Sequence, residues 1–318
     1  MTRLRAAIAL ATFHATAFFA VAQDFRFEDV AARSGVVFQF DSGSRGRHDL
    51  PEIMGGGVAL FDADGDGLLD LYLCNGGPIA ADPPAEDPPS RLFLNRGGGR
   101  FVDWTEAAGA PGPSYAMGAA AGDFDADGRV DLLQTNGHVL DRDRLGIPFA
   151  MPPILLKGRD GGFQDVSARA GPWFARLALG RSLAVGDVDG DGRLDVAATA
   201  LDAPFALLLN RSAGPPLVSV DLVDRRGLPA VGARARARIR GREIVQDLVA
   251  GGSYLSSSPP RLAFGLGDAA QIDELEVAWP WGGVESWRGL RPGKPARLIE
   301  GDSPTVPLTT TGISGPVP

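Results

Sequence analysis

Three stretches of this chain repeat one aspartate pattern, and that repeat constrains its fold more than any other feature. Val58-Ala-Leu-Phe-Asp-Ala-Asp-Gly-Asp-Gly-Leu-Leu-Asp-Leu, Ala119-Ala-Ala-Gly-Asp-Phe-Asp-Ala-Asp-Gly-Arg-Val-Asp-Leu and Leu183-Ala-Val-Gly-Asp-Val-Asp-Gly-Asp-Gly-Arg-Leu-Asp-Val align without gaps across their loops. The first aspartates, Asp62, Asp123 and Asp187, lie 61 and 64 residues apart. A second phrase recurs as Phe27-Glu-Asp-Val-Ala-Ala-Arg-Ser-Gly, Phe101-Val-Asp-Trp-Thr-Glu-Ala-Ala-Gly and Phe163-Gln-Asp-Val-Ser-Ala-Arg-Ala-Gly. Between the two lie apolar runs such as Arg91-Leu-Phe-Leu-Asn95 and Phe205-Ala-Leu-Leu-Leu-Asn210, each followed by a glycine-containing turn. A unit of this length reads as about four strands, the size of a propeller blade that must bury its face against its neighbours.

The expected fold class is therefore all-β, with at least three propeller-type blades. The Phe27 phrase precedes the first aspartate loop, and the third unit ends after Asn210 without such a phrase. The N-terminal strand could thus complete the last blade. Closed propellers use four blades or more, which leaves open an incomplete arc, irregular blades near residues 75–90 or 138–155, or assembly with a second chain.

Each loop places carboxylates at positions 1, 3, 5 and 9: Asp62, Asp64, Asp66 and Asp70; Asp123, Asp125, Asp127 and Asp131; Asp187, Asp189, Asp191 and Asp195. Position 6 is Gly67, Gly128 or Gly192, and position 7 would offer the carbonyls of Leu68, Arg129 and Arg193. A hard cation that takes six to eight oxygens wants alternating carboxylates, a glycine for the turn and a backbone carbonyl. The expected cofactor is Ca²⁺, about three ions, ahead of the smaller and stricter Mg²⁺. An EF-hand would need a glutamate at position 12, where this chain has Leu73, Gln134 and Ala198, and helical flanks rather than the alternating runs seen here. Unfilled, neighbouring carboxylates would repel by about 1–4 kcal/mol per pair.

Compartment and domain limits follow from other features. Arg3 and Arg5 precede an apolar run from Ala6 to Phe19 and a small-residue site, Ala20-Val21-Ala22, which reads as a signal peptide over residues 1–22. The run is too short for a membrane span, and no span is expected after it. The protein is thus expected to be secreted, periplasmic or extracellular. Its one cysteine, Cys74, allows no intramolecular disulfide, so stability must come from elsewhere. Residues 23–214 carry 28 acidic and 17 basic side chains against 10 and 12 in 215–300. The first stretch is the expected calcium-binding repeat region and the second a small β-sandwich-like domain, followed by a flexible tail over 301–318.

In the second region Arg234, Arg236, Arg238, Arg240 and Arg242 recur at period two, which on one strand would put all five on one face. Such a row serves as a charged face or edge that discourages aggregation, as a stripe for a sulfated or acidic polysaccharide, or as a dock for the acidic repeats.

No nucleophile motif, P-loop or paired metal-ligating histidines occur, so no catalytic residue is assigned. His48 and His138 stand alone in their loops.

The phrases Pro51-Glu-Ile-Met-Gly-Gly-Gly-Val-Ala-Leu-Phe-Asp, Thr135-Asn-Gly-His-Val, Val231-Gly-Ala-Arg, Gly251-Gly-Ser-Tyr-Leu-Ser and Leu262-Ala-Phe-Gly-Leu-Gly-Asp resemble the cartilage acidic protein family. That family joins FG-GAP (VCBS-type) repeats to an ASPIC/UnbV domain. The resemblance covers nearly the whole mature chain and implies an extracellular calcium-binding repeat region with a C-terminal domain of unsettled role. The expected function is a binding or adhesion scaffold for an extracellular glycan or protein, with no nucleic-acid partner. The alternative is a calcium-dependent polysaccharide lyase or hydrolase on the same scaffold.

Overall fold

The computed structural model describes residues 29–42, 55–77, 89–110, 112, 115–139 and 148–302. The expected signal peptide, His48 and all but two residues of the expected tail lie outside them. The described residues form three antiparallel meanders followed by a two-sheet domain.

The first meander is β1 (Val58–Phe61), β2 (Asp70–Leu73), β3 (Arg91–Asn95) and β4 (Phe101–Asp103). The second is β5 (Ala116–Gly122), β6 (Asp131–Asn136), β7 (Ile154–Arg159) and β8 (Gly162–Asp165), and the third is β9 (Leu179–Gly186), β10 (Asp195–Leu201) and β11 (Ala206–Leu208). Each is a propeller-type blade, and the aspartate loop joins its first two strands, where the alternating apolar residues of the sequence place a hairpin. Among the described residues neither 75–90 nor 138–155 adds a further sheet; β7 of the second blade begins in the latter stretch.

The blades stack in chain order, β1 beside β5 and β5 beside β9. Tyr72, Leu92, Leu132, Leu156 and Phe163 form one core between the first two, where Phe61 meets Phe163 edge to face at 6.4 Å. Leu133, Leu183, Val196 and Ala198 form another between the second and third. Gly118 shows why small residues recur on these strands: a Cβ there would stand 2.6 Å from the Arg181 carbonyl oxygen of the next blade. Cys74 is buried, and burial pushes its thiol up to about 12, as suits a small core residue.

After the fourth-strand phrase the chain makes a short helical turn: α1 (Ala31–Ser34), α2 (Thr105–Ala108) and a 3-10 turn (Ser167–Arg169). All three start alike, with Asp29, Asp103 and Asp165 each accepting the N–H two residues on, at 2.9, 3.0 and 2.8 Å. This local bond is the turn chemistry that short acidic side chains favour.

The C-terminal domain packs one sheet of β12 (Val218–Val223), β15 (Leu262–Phe264) and β18 (Ala296–Ile299) against another of β13 (Arg234–Ile239), β14 (Arg242–Asp247), β16 (Ile272–Ala278) and β17 (Val284–Leu290). Val220, Ala235, Ala237, Phe264, Leu275, Val277 and Trp279 fill the space between, the two-layer arrangement of a β-sandwich. The arginine row departs from the single face expected for it. Arg234, Arg236 and Arg238 alternate along β13, but Arg240 sits at φ +50 in the hairpin turn, and Arg242 opens β14 opposite the buried Ile239. The turn ends the period of two, so Arg242 faces the other way.

Candidate metal centres

The first aspartate of each loop organises the turn through its own backbone. Asp62 accepts the N–H groups of Gly65, Asp66 and Gly67 at 2.8, 3.1 and 2.9 Å, and Asp187 accepts those of Gly190 and Gly192 at 2.8 and 3.0 Å. Positions 4 and 6 bend back through positive φ, at Gly65 and Gly67 in the first loop and Gly190 and Gly192 in the third, which glycine adopts without strain. The outcome is three tight turns whose outer carboxylates converge. Oxygens of Asp62, Asp64 and Asp66, of Asp123, Asp125 and Asp127, and of Asp187, Asp189 and Asp195 each lie within 4.8 Å of one another.

The ninth position has a further task. Asp70 accepts Ala63 N–H and Asn95 N–H, both at 2.7 Å; Asp131 accepts Phe124 at 2.9 Å and Gly158 at 2.8 Å; Asp195 accepts Val188 and Asn210, both at 2.7 Å. One buried carboxylate thus ties the start of the loop to the third strand of the same blade. Asn95 and Asn210 complete the tie by donating side-chain N–H to Leu69 and Leu194 carbonyls at 3.0 and 3.1 Å. Sequence reading missed these asparagines, although each ends an apolar third-strand run immediately before a basic residue.

Those basic residues were also missed. Arg96 reaches Asp64 at 3.1 Å, Arg211 reaches Asp189 and Asp191 at 2.9 and 3.1 Å, and Lys157 bridges Asp125 and Asp127. With Arg193 also on Asp191 at 3.2 Å, each loop has at least one cation that partly offsets carboxylates that would otherwise repel.

The second loop is the most enclosed. Asp123 is 5% exposed, and its Oδ1 and the Oδ1 of Asp125 are buried without a hydrogen-bond partner. Burial, with repulsion from the neighbouring aspartates, pushes Asp123 and Asp131 up to about 7, and burial pushes Asp70 up to about 6. Two orphaned, desolvated carboxylate oxygens in an all-oxygen turn are what a hard cation would satisfy. The donor set present therefore fits Ca²⁺, with Asp123, Asp125 and Asp127 as its nearest carboxylates.

The C-terminal domain provides the enclosure. Arg242 donates to the carbonyls of Asp127 and Gly128, Gly267 N–H donates to Ala126 O at 2.9 Å, and Gly265 lies against the Asp123 carboxylate. In the other blades, Gly67 meets Val245 and Gly192 meets Pro216, and Leu217 N–H donates to Gly192 O at 2.8 Å. All three loops thus touch the region after blade three. The phrase around Gly251 follows the first strands instead: Ser256 donates to Leu183 O, and Val185 N–H donates to Ser258 Oγ at 3.0 Å.

The remaining arginines of the expected polyanion stripe are engaged in ion pairs. Arg234 meets Asp247 at 2.9 Å, Arg236 meets Glu243 at 3.0 Å, Arg238 meets Glu274 at 2.8 Å and Arg240 meets Asp268 at 2.7 Å. Arg242 instead hydrogen-bonds to the second acidic loop, and the Asp62 charge acts on Arg234. His138 is buried and lies 3.7 Å from Tyr115, centroid to centroid.

Family models match the chain in three places: an FG-GAP-like repeat over residues 62–133, an FG-GAP repeat over 179–211, and ASPIC and UnbV over 224–305. Curated relatives include cartilage acidic protein 1 of Homo sapiens, 27% identical over 68% of this chain and 40% of that protein. The Xenopus tropicalis protein of the same name is 26% identical over 72% of this chain and 42% of its own length. The chain thus spans about two fifths of the length of the curated relatives it matches. A solved exotype rhamnogalacturonan lyase, YesX, overlaps 76% of this chain and 50% of its own at 12% identity, but its TM-score of 0.26 carries no argument. The chain combines FG-GAP-type repeats with an ASPIC and UnbV module, as its resemblance to the cartilage acidic protein family implied. No helix among the described residues is long and apolar enough to cross a membrane.

Proposed function

We propose that this chain of FG-GAP-type repeats and an ASPIC and UnbV module is a secreted scaffold, held rigid by three Ca²⁺, that binds an extracellular glycan or protein. The buried, partnerless oxygens of Asp123 and Asp125 carry the reading, because a carboxylate with no donor costs free energy until a cation arrives. Asp62, Asp64 and Asp66 would hold the first ion, Asp123, Asp125 and Asp127 the second, and Asp187, Asp189, Asp191 and Asp195 the third, with carbonyls of Leu68, Arg129 and Arg193. The ion supplies positive charge at the turn between the first two strands of each blade. The chain's own residues do the rest: the ninth aspartate binds the turn to the third strand, and Arg242 and Gly267 bind the second turn to the C-terminal domain.

Rigid turns at one end of every blade fix the loops that a partner would read. Retention of the mature protein on immobilised sulfated glycans and extracellular matrix proteins is therefore expected to depend on calcium. Retention in calcium that is lost in chelator supports the reading, and equal elution in both from every such surface contradicts it. Depolymerisation of an acidic polysaccharide in the same calcium buffer would favour the lyase alternative.

A further inference from the structure

We propose that the outer edge of the third blade is a self-association surface, completed by residues 27–30 of a second copy of this chain. Blades one and two have a fourth strand built from the repeated Phe-x-Asp phrase, whereas among the described residues blade three ends at β11. The consequence shows at equivalent positions. The tie from the ninth aspartate aligns Asn95 with Asn210, and hence Leu92 and Leu94 with Leu207 and Leu209. Leu92, in the core between blades one and two, and Leu94 are 0% and 1% exposed, while Leu207 and Leu209, with no following blade among the described residues, are 46% and 40% exposed, beside Phe205 at 63%. An apolar strand edge of this kind is a template for another strand.

The glycine that closes each phrase identifies the missing strand. Gly109 ends the first blade's phrase, and its Cβ position lies 3.3 Å from Phe163 O, on the fourth strand of the next blade. Gly35 ends the N-terminal phrase and abuts Phe101 O on β4 in the same way. Gly171 ends the second blade's phrase and should likewise meet the fourth strand of blade three, yet among the described residues nothing lies within 4 Å of its Cβ position. The repeat register says what belongs there: Phe27 against Gly171, with residues 27–29 paired to Asn210, Leu209 and Leu208 as Phe101–Asp103 pairs to Asn95, Leu94 and Phe93.

The described part of the N-terminal phrase already has the required conformation, since α1 carries the same Asp29 turn as its two equivalents. It cannot serve blade three of its own chain while Gly35 is seated on blade one, because blade three lies beyond blade two. A second copy has no such restriction. The contact is head to tail, with the edge of one copy receiving the phrase of the other, and such contacts close into a ring when the rotation permits. Two copies bring six described blades together, within the range of four to eight that closed propellers use.

The mature chain should sediment as a dimer at tens of micromolar. A Glu28→Cys, Leu209→Cys variant should form a disulfide between chains under mild oxidation. Leu207→Asp with Leu209→Asp, both exposed in the single chain, should leave the circular dichroism unchanged and shift the protein to monomer. A monomeric mass for the unaltered chain, a disulfide within one chain, or a dimer that survives the double aspartate variant overturns the proposal. None of these readouts depends on the calcium reading.

Discussion

In chelator, the melting temperature of this protein is expected to fall as pH rises from 4 to 7, and in excess calcium to rise over the same window. Asp123 and Asp131 are pushed up to about 7 and Asp70 to about 6, against an ordinary 3.8 that the unfolded chain retains. Between those values the folded state binds more protons than the unfolded state, so metal-free stability decreases with pH and is fully lost for these groups above about 7. Half of the shift on one second-loop carboxylate already amounts to about 2 kcal/mol, or roughly 3 °C for a chain of this size. Calcium binds the ionised carboxylates, so protons compete with it and the slope reverses. Each ion at a hundredfold excess over its dissociation constant adds about 2.7 kcal/mol. Melts recorded at several pH values with calcium and with chelator decide the matter, and parallel curves in the two conditions would exclude the mechanism.

Gly265→Ala should be the most damaging single methyl in the C-terminal domain. Its Cβ would overlap the Asp123 carboxylate and stand 2.7 Å from Gly128 N and 2.8 Å from Ala126 C. Two of those neighbours are backbone atoms in a turn pinned by Asp123 and Gly267, so they cannot yield as a flexible side-chain end would. A loss of about 3 kcal/mol is expected in denaturant melts, together with weaker calcium binding at the second loop alone. Gly186 is a control, because its backbone is not at positive φ and its Cβ position meets only the Pro259 side chain, at 3.4 Å. A Gly265→Ala protein as stable as the parent would mean that the C-terminal domain does not seat on the second loop.

The repeat made the blades legible because hairpin flanks, loop carboxylates and the Phe-x-Asp phrase recur at fixed offsets. Four strands per unit follow from that spacing in blades one and two. The junction was not legible, since Arg242, Gly265 and Gly267 meet the second loop across more than a hundred residues, and no local pattern encodes such a contact. The arginine row misled for a related reason. Period two was read through Arg240 and Gly241, where the chain turns at positive φ and sends Arg242 to the opposite face. The loop aspartates were found, but not the difference between them: the ninth is committed to two backbone donors as well as to any ion, which only hydrogen-bond geometry reveals.

Equilibrium dialysis against calcium, with the chain stripped of metal beforehand, tests the central claim most directly. Three ions per chain are expected at saturation, and Asp62→Ala, Asp123→Ala and Asp187→Ala should each remove one. Absence of saturable calcium, or an unchanged count in all three variants, would contradict it.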